Sequence, residues 1–218
     1  MKTNKNRICE GTERMPRTNI VRRGSAMDNK MMILQCAKEL FYLKGYDAVS
    51  VQEIVDRAGI TKPTLYYYFG SKLGLLETLM EVKFEELRVL LRDILKSDKD
   101  ICETLYQLAG AYGVFFERDR EFYMLMMALF YSARENEAYQ VVRPYVTEFY
   151  STVVSVFERA SGQLGNMHGR QRQFATGFIG TINHYLLFQY ETDPEHREEL
   201  GEENIRAQVN QFMYGIFS

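Results

Sequence analysis

Cysteine occurs only three times in these 218 residues and proline four times, and no apolar run approaches the ~18 residues of a bilayer span. Cys9, Cys36 and Cys102 are odd in number and have no CxxC spacing, which excludes a disulfide framework and a zinc-ribbon site. Lys2, Lys5 and Arg7 open the chain without an apolar stretch behind them, so no secretory signal is read there. GxGxxG, GxxxxGK[ST], HExxH and GxSxG are all missing. The many carboxylates fall on predicted solvent faces, at i,i+4 from Lys or Arg. No enzyme activity, cofactor or metal is therefore expected, and the location expected is a reducing cytoplasm.

What is present describes a globular chain. Hydrophobic residues make up 46% and charged residues 26%, ordinary values for a folded protein. The length allows one or two domains, with roughly 70% of the unfolded surface buried. Charge is uneven. Residues 1–27 hold seven basic against two acidic side chains, residues 28–70 hold five of each, and residues 71–218 hold 15 basic against 22 acidic. A basic end on an acidic body points to an anionic partner, with nucleic acid leading; a solvated tail is the other reading. Residues 1–27 lack apolar periodicity and read as a mobile basic arm. Met27 directly precedes the first periodic segment and is a second candidate start, so whether 1–26 belong to the native chain is left open.

Few prolines, long 3.6-residue periods and no alternating runs predict an all-α protein of about nine helices. The first spans 28–44, capped by Asp28 and stopped at Gly45. Ser50 opens a short second helix with Glu53 three residues on, a capping box, and Gly59 closes it. Thr61 begins a third, with Pro63 in its first turn, and Gly70 ends it. Ser71 begins a long fourth helix. Five more follow over 100–118, 119–131, about 137–160, 170–190 and about 195–217. Pro144 should kink the seventh or move its start.

The informative stretch is 50–72. Two short helices joined through Ala58-Gly59-Ile60 form a helix-turn-helix, with Leu65 turned inward. The outer face of Thr61-Lys62-Pro63-Thr64-Leu65-Tyr66-Tyr67-Tyr68 is polar, small and aromatic. Such a face suits a major groove, where Thr hydroxyls, Lys62 and Tyr hydroxyls reach phosphates or base edges. Helical corners of ordinary proteins are built the same way.

The residues carry more than the spacing. Ala37-Lys38-Glu39-Leu40-Phe41, Gly45-Tyr46, the run from Ser50 to Ile60, then Thr61 through Lys72 and Leu75-Leu76 resemble the N-terminal domain of the TetR/AcrR family of bacterial regulators. The likeness covers about 28–80 without a gap, and the rest of the chain matches in helix count and length alone. It implies a helix-turn-helix domain at 28–72 followed by a ligand-binding and dimerisation domain at 73–218. It also implies a homodimer, usually a repressor, that binds double-stranded DNA at a palindromic operator and lets go when a small effector binds. Carried over by position, Ser50 and Gln52 would touch phosphate. Thr61, Lys62, Pro63 and Thr64 would face bases and backbone, Tyr66 and Tyr67 the groove wall, and Lys72 a phosphate. Two positions depart from the family: Tyr68, more often a histidine, which would alter a phosphate contact, and Gly74, where a helix former is common. As an intrinsic propensity, that glycine weakens the fourth helix by up to ~1 kcal/mol.

Residues 101–190 are rich in aromatics and methionine. They read as a helical core or as a cavity for a small, largely apolar effector. The cavity candidates are Leu87, Leu91, Tyr106, Tyr123, Met127, Phe149 and Phe178. Gly177, Gly180, Thr181 and His184 form a small-residue stripe on the eighth helix. With Phe188, and with Val209 and Phe212 of the last helix, it reads as a dimer interface or as an intrachain contact of the same kind. His184 has no second His or Cys at i+3 or i+4, so it is not read as a metal ligand. An activator of the same fold, and a helical dimer that binds protein instead of DNA, remain the alternatives.

Overall fold

The computed structural model describes residues 26–162, 164, 167, 169–192 and 200–215. Among them the chain is helical, with no strand: α1 Ala26–Lys44, α2 Val51–Ala58, α3 Lys62–Phe69, α4 Lys72–Lys96, α5 Ile101–Arg118, α6 Arg120–Phe130, α7 Glu137–Arg159, α8 Gln171–Glu191 and α9 Glu202–Tyr214. Residues 1–25 of the basic arm, and His168, His196 and Ile216, lie outside the described residues.

The helix boundaries follow local chemistry. Ser50 accepts from the Glu53 amide while Glu53 accepts from the Ser50 amide, so the capping box forms in both directions. Gly59 ends α2 at φ 63°, the left-handed cap that glycine adopts without a Cβ penalty. Asp100, Asp119 and Asn136 cap α5, α6 and α7 through their side chains.

Two boundary expectations need correction, and one of the two readings at Pro144 falls. The first helix begins at Ala26, so Asp28 sits inside its first turn and is not the cap, and the arm ends two residues earlier. Pro144 does not move the start of α7: Asn136 fixes that start, and the helix runs on to Arg159. The proline withholds a hydrogen bond from the Gln140 carbonyl, but both residues are exposed and water can replace it. The last helix is described only from Glu202.

One hydrophobic core runs through the molecule. At the N-terminal end it gathers Ile33, Ala37 and Phe41 of α1, Ile54 of α2, Leu65 of α3 and Leu75 and Leu76 of α4, each at most 1% exposed. Burying each of the larger of these side chains is worth roughly 1.5–3 kcal/mol, enough to hold the eight-residue α2 and α3, which would not be stable alone. The remaining helices form a bundle, with α7 against α4, α6 and α8, and α5 against α4 and α9.

Candidate nucleic-acid interface and effector cavity

α3 turns two opposite faces outward and inward. Leu65 and Phe69 are buried, while Thr61, Lys62 and Pro63 are exposed, and Tyr66 and Tyr67 are 47% and 83% exposed. The Thr61 and Thr64 hydroxyls share a hydrogen bond of 2.9 Å, so Thr61 does not use its side chain to cap the helix. Tyr68 is half-buried, edge-on to Tyr67 at 5.3 Å between ring centroids. Lys62 has no acidic partner among the described residues, which leaves its charge available. Nearby cations are engaged: Lys44 bonds Glu53 at 2.7 Å, and Arg57 pairs with Glu39. Those partners hold the Glu53 carboxyl down at about 2, through the Lys44 and Ser50 hydrogen bonds.

The other residues expected at DNA are less free. Ser50 is committed to the capping box, its hydroxyl 2.9 Å from the Glu53 carboxylate. Gln52 is exposed and donates to Asp56 at 2.7 Å. Lys72 is half-buried and donates to the Tyr46 and Val49 carbonyls at 3.0 and 3.1 Å, over the Tyr46 ring. Its ammonium fastens the α1–α2 turn to the start of α4, where the resemblance implied a phosphate contact.

That turn is also tied to the bundle. The Tyr46 hydroxyl donates to Glu137 at 2.7 Å, and Asn136 donates to Asp47 at 2.7 Å. Burial and the adjacent Glu137 carboxylate push the Tyr46 phenol well above its ordinary value. A further link joins Tyr42 of α1 to Tyr190 of α8.

A cavity of about 510 Å³ lies between α4, α5, α6, α7 and α8. Of the seven residues expected at an effector site, Leu87, Met127 and Phe149 line it. Leu91 lines a small recess of about 110 Å³ behind Leu87, and Tyr106 faces a separate open groove beside α9. Tyr123 and Phe178 do not reach the cavity surface. Tyr123 stands behind Tyr112, and Phe178 belongs to an aromatic cluster with Phe157 and Phe212. The sequence reading missed Tyr112, Asn183 and Leu187 in the lining; an α8 face alternating small, polar and apolar residues gave no sign of which side faced a void.

The stripe on α8 divides in two. Gly180 and His184 face the cavity, whereas Gly177 lies under Phe212, 3.2 Å from where a Cβ would sit. Of the residues expected at a dimer interface, Val209 is fully buried within its own chain, and the half-buried Phe212 packs on Phe178 and Phe157. Gly177 thus has an intrachain contact of the kind the small residues allow, while it stays exposed to solvent. Phe188 is 71% exposed, and Thr181 is half-buried with its hydroxyl on the Gly177 carbonyl. The His184 ring approaches the Gly180 carbonyl at 2.9 Å through Nδ1, a contact that needs that nitrogen to donate. No helix among the described residues is long and apolar enough to cross a membrane.

Comparison with known proteins places this geometry. The family model for bacterial regulatory proteins of the tetR family matches residues 33–79. The transcriptional activator FasR of Mycolicibacterium smegmatis is 31% identical over 161 residues, 72% of this chain and 72% of its own. The crystal structure of the transcriptional regulator FadR from Bacillus subtilis, in complex with stearoyl-CoA, superimposes with a TM-score of 0.71 at 18% identity, covering 85% of this chain and 98% of that one. AibR in complex with isovaleryl coenzyme A and operator DNA superimposes with a TM-score of 0.64 at 20% identity, covering 84% and 97%.

Proposed function

The chain belongs to the TetR family of bacterial regulatory proteins, and within it we propose a homodimeric regulator that binds a palindromic operator and is released by a small, largely apolar effector. DNA binding and transcription regulation come with the family, whose members similar to this chain are regulators and not enzymes. The observation that carries the finer reading is the pairing of an exposed Thr61–Tyr67 face with a cavity open at one mouth, both on one continuous core. Thr61, Lys62, Pro63, Thr64, Tyr66 and Tyr67 meet the groove, with Tyr68 at its edge. Ser50 and Gln52 approach the backbone from the start of α2. The effector occupies the cavity against Leu87, Met127 and Phe149. Acyl-CoA thioesters, bound by FadR and AibR, are the first class to test.

Repression is the direction we adopt for the operator-bound state. Activation is the second reading, favoured by the likeness to FasR. The test is selection of bound sequences from a random duplex library, followed by transcription from a promoter carrying the selected site. An enriched palindrome with half-sites about one helical turn apart supports a dimeric reader. No enrichment by folded, ligand-stripped protein would leave the α3 face as a protein-binding surface instead.

A further inference from the structure

Not one of the residues lining the 510 Å³ cavity is Lys, Arg, Asp or Glu. A carboxylate or ammonium taken inside, past the exposed His184 at the mouth, would lose its hydration with no Lys, Arg, Asp or Glu in the wall to offset it, a penalty that an uncharged group escapes. The wall is not wholly apolar, however. Asn183 stands where the interior meets the mouth, half-buried beside the exposed His184. Its orientation is fixed from behind: the hydroxyl of Tyr123, which is fully buried, donates to Asn183 Oδ1 at 2.8 Å. With the oxygen held by the core, the Nδ2 donors of Asn183 are left for whatever fills the cavity. The buried Phe84, Leu87, Met127 and Phe149 supply an apolar bed on the far side.

We infer that the site recognises an uncharged acyl compound (an ester, thioester or amide) whose carbonyl oxygen accepts from Asn183 Nδ2 while its chain lies on that bed. Any bulky or charged group beyond the carbonyl sits outside, at the mouth lined by Thr147, Thr176 and His184. The free acid and the amine of the same chain length are refused. This assignment rests on the cavity being the effector site.

The test uses the full chain and four probes: methyl octanoate, octanoate, octylamine, and n-hexane as a carbonyl-free occupant. Affinities are read by calorimetry and, for hexane, by thermal upshift. Methyl octanoate should bind at least about tenfold more tightly than octanoate or octylamine. Asn183→Asp keeps an acceptor for Tyr123 but replaces the donors with a second oxygen. It should weaken methyl octanoate by about tenfold and strengthen octylamine, reversing their order. If Asn183→Asp does not fold, Tyr123→Phe releases the carboxamide from its anchor and should weaken the ester by about threefold. A wild-type preference for octanoate or octylamine, or an ester affinity indifferent to both substitutions, overturns the carbonyl assignment while hexane binding upholds the cavity. Failure of all four probes to bind overturns the cavity as effector site, and this inference with it.

Discussion

Lys38 of α1 donates to Asp119 at 2.8 Å, and both side chains are nearly buried, at 5% and 11% exposure. Asp119 is not a passive acceptor. It caps α6 by accepting from the Phe122 amide, and its other oxygen takes Lys83 of α4 at 3.1 Å. Glu121 adds a second bond to Lys38 at 3.1 Å. The start of α6 is thus pinned to the DNA-binding end of the molecule. Further along the same helix, Met126, Met127 and Phe130 line the cavity. A helix of 11 residues therefore spans from α1 to the cavity.

Removing Lys38 should cost stability with a defined pH signature. Burial works to raise the Asp119 carboxyl, but the bonds from Lys38, Lys83 and the Phe122 amide outweigh it and hold the carboxyl below its ordinary 3.8. Burial likewise works to lower the Lys38 ammonium, and its two carboxylate partners lift it above 10.5. The carboxylate's share is present above its unfolded value and fades as pH falls through the folded one. The ammonium's share is present below its unfolded value and fades as pH rises through the folded one. Lys38→Met leaves Asp119 its other partners, so the expected loss is ~2 kcal/mol, less than for a wholly broken buried pair. Urea unfolding should show that loss unchanged between about pH 5 and 9 and shrinking toward pH 3. A loss equally large at pH 3 would count against the ion pair as its source.

Gly74 yields a prediction opposite in sign to helix propensity. On propensity alone, Gly74→Ala in the first turn of α4 should stabilise by up to ~1 kcal/mol. The structure gives the glycine a reason: a Cβ there would press on the carbonyl oxygen of Phe69, backbone that cannot turn aside. The same turn has Ser71 accepting from the Gly74 amide at 2.9 Å and Gly70 at φ 72°. Gly74→Ala should therefore lower the melting temperature, and shifting the α3–α4 joint should weaken operator binding. A raised melting temperature would mean that the turn has room to relax.

Gly74 also shows where sequence reading stops. The capping box at Ser50, the helix starts near 100 and 119, the glycine stop at Gly59 and the inward turn of Leu65 were legible because each is a local rule acting over three or four residues. The helix-turn-helix was legible for the same reason. Residues whose roles depend on distant parts of the chain were not. Lys72 reads as a phosphate ligand by position, yet its carbonyl partners lie 23 and 26 residues earlier. Periodicity assigns Tyr123 and Phe178 to the interior equally with Met127, and only the packing of five helices decides which of them borders a void. Val209 and Phe212 have the apolar spacing of an interface, yet Val209 is buried within its own chain and the half-buried Phe212 packs on Phe157 and Phe178.

Lys62 and Lys72 should separate cleanly in DNA-binding measurements. Lys62 is exposed and has no acidic partner among the described residues, so Lys62→Ala should remove a direct contact. Affinity should fall, base preference should relax, and the slope of log affinity against log salt should drop by about one if the contact is to phosphate. Lys72→Ala should loosen the α1–α2 turn, weakening binding to all sequences at little change in slope. A slope reduced by about one for Lys72→Ala would restore its direct phosphate role.

Gly180 decides between the cavity and the interface as the purpose of the α8 stripe. A Cβ at Gly180 would meet nothing within 4 Å, unlike one at Gly177, which would meet Phe212 at 3.2 Å. Gly180→Ala should thus stabilise the helix by up to ~1 kcal/mol with no clash. Gly180→Leu extends a side chain into the space between α6, α7 and α8. If that space holds the effector, Gly180→Leu should bind operator normally while its affinity for methyl octanoate falls at least about tenfold, the extent set by how much of the chain the leucine displaces. If Gly180 instead faces a second copy of the chain, the same substitution should leave probe binding intact and weaken self-association, which sedimentation at falling concentration would record as dimer giving way to monomer.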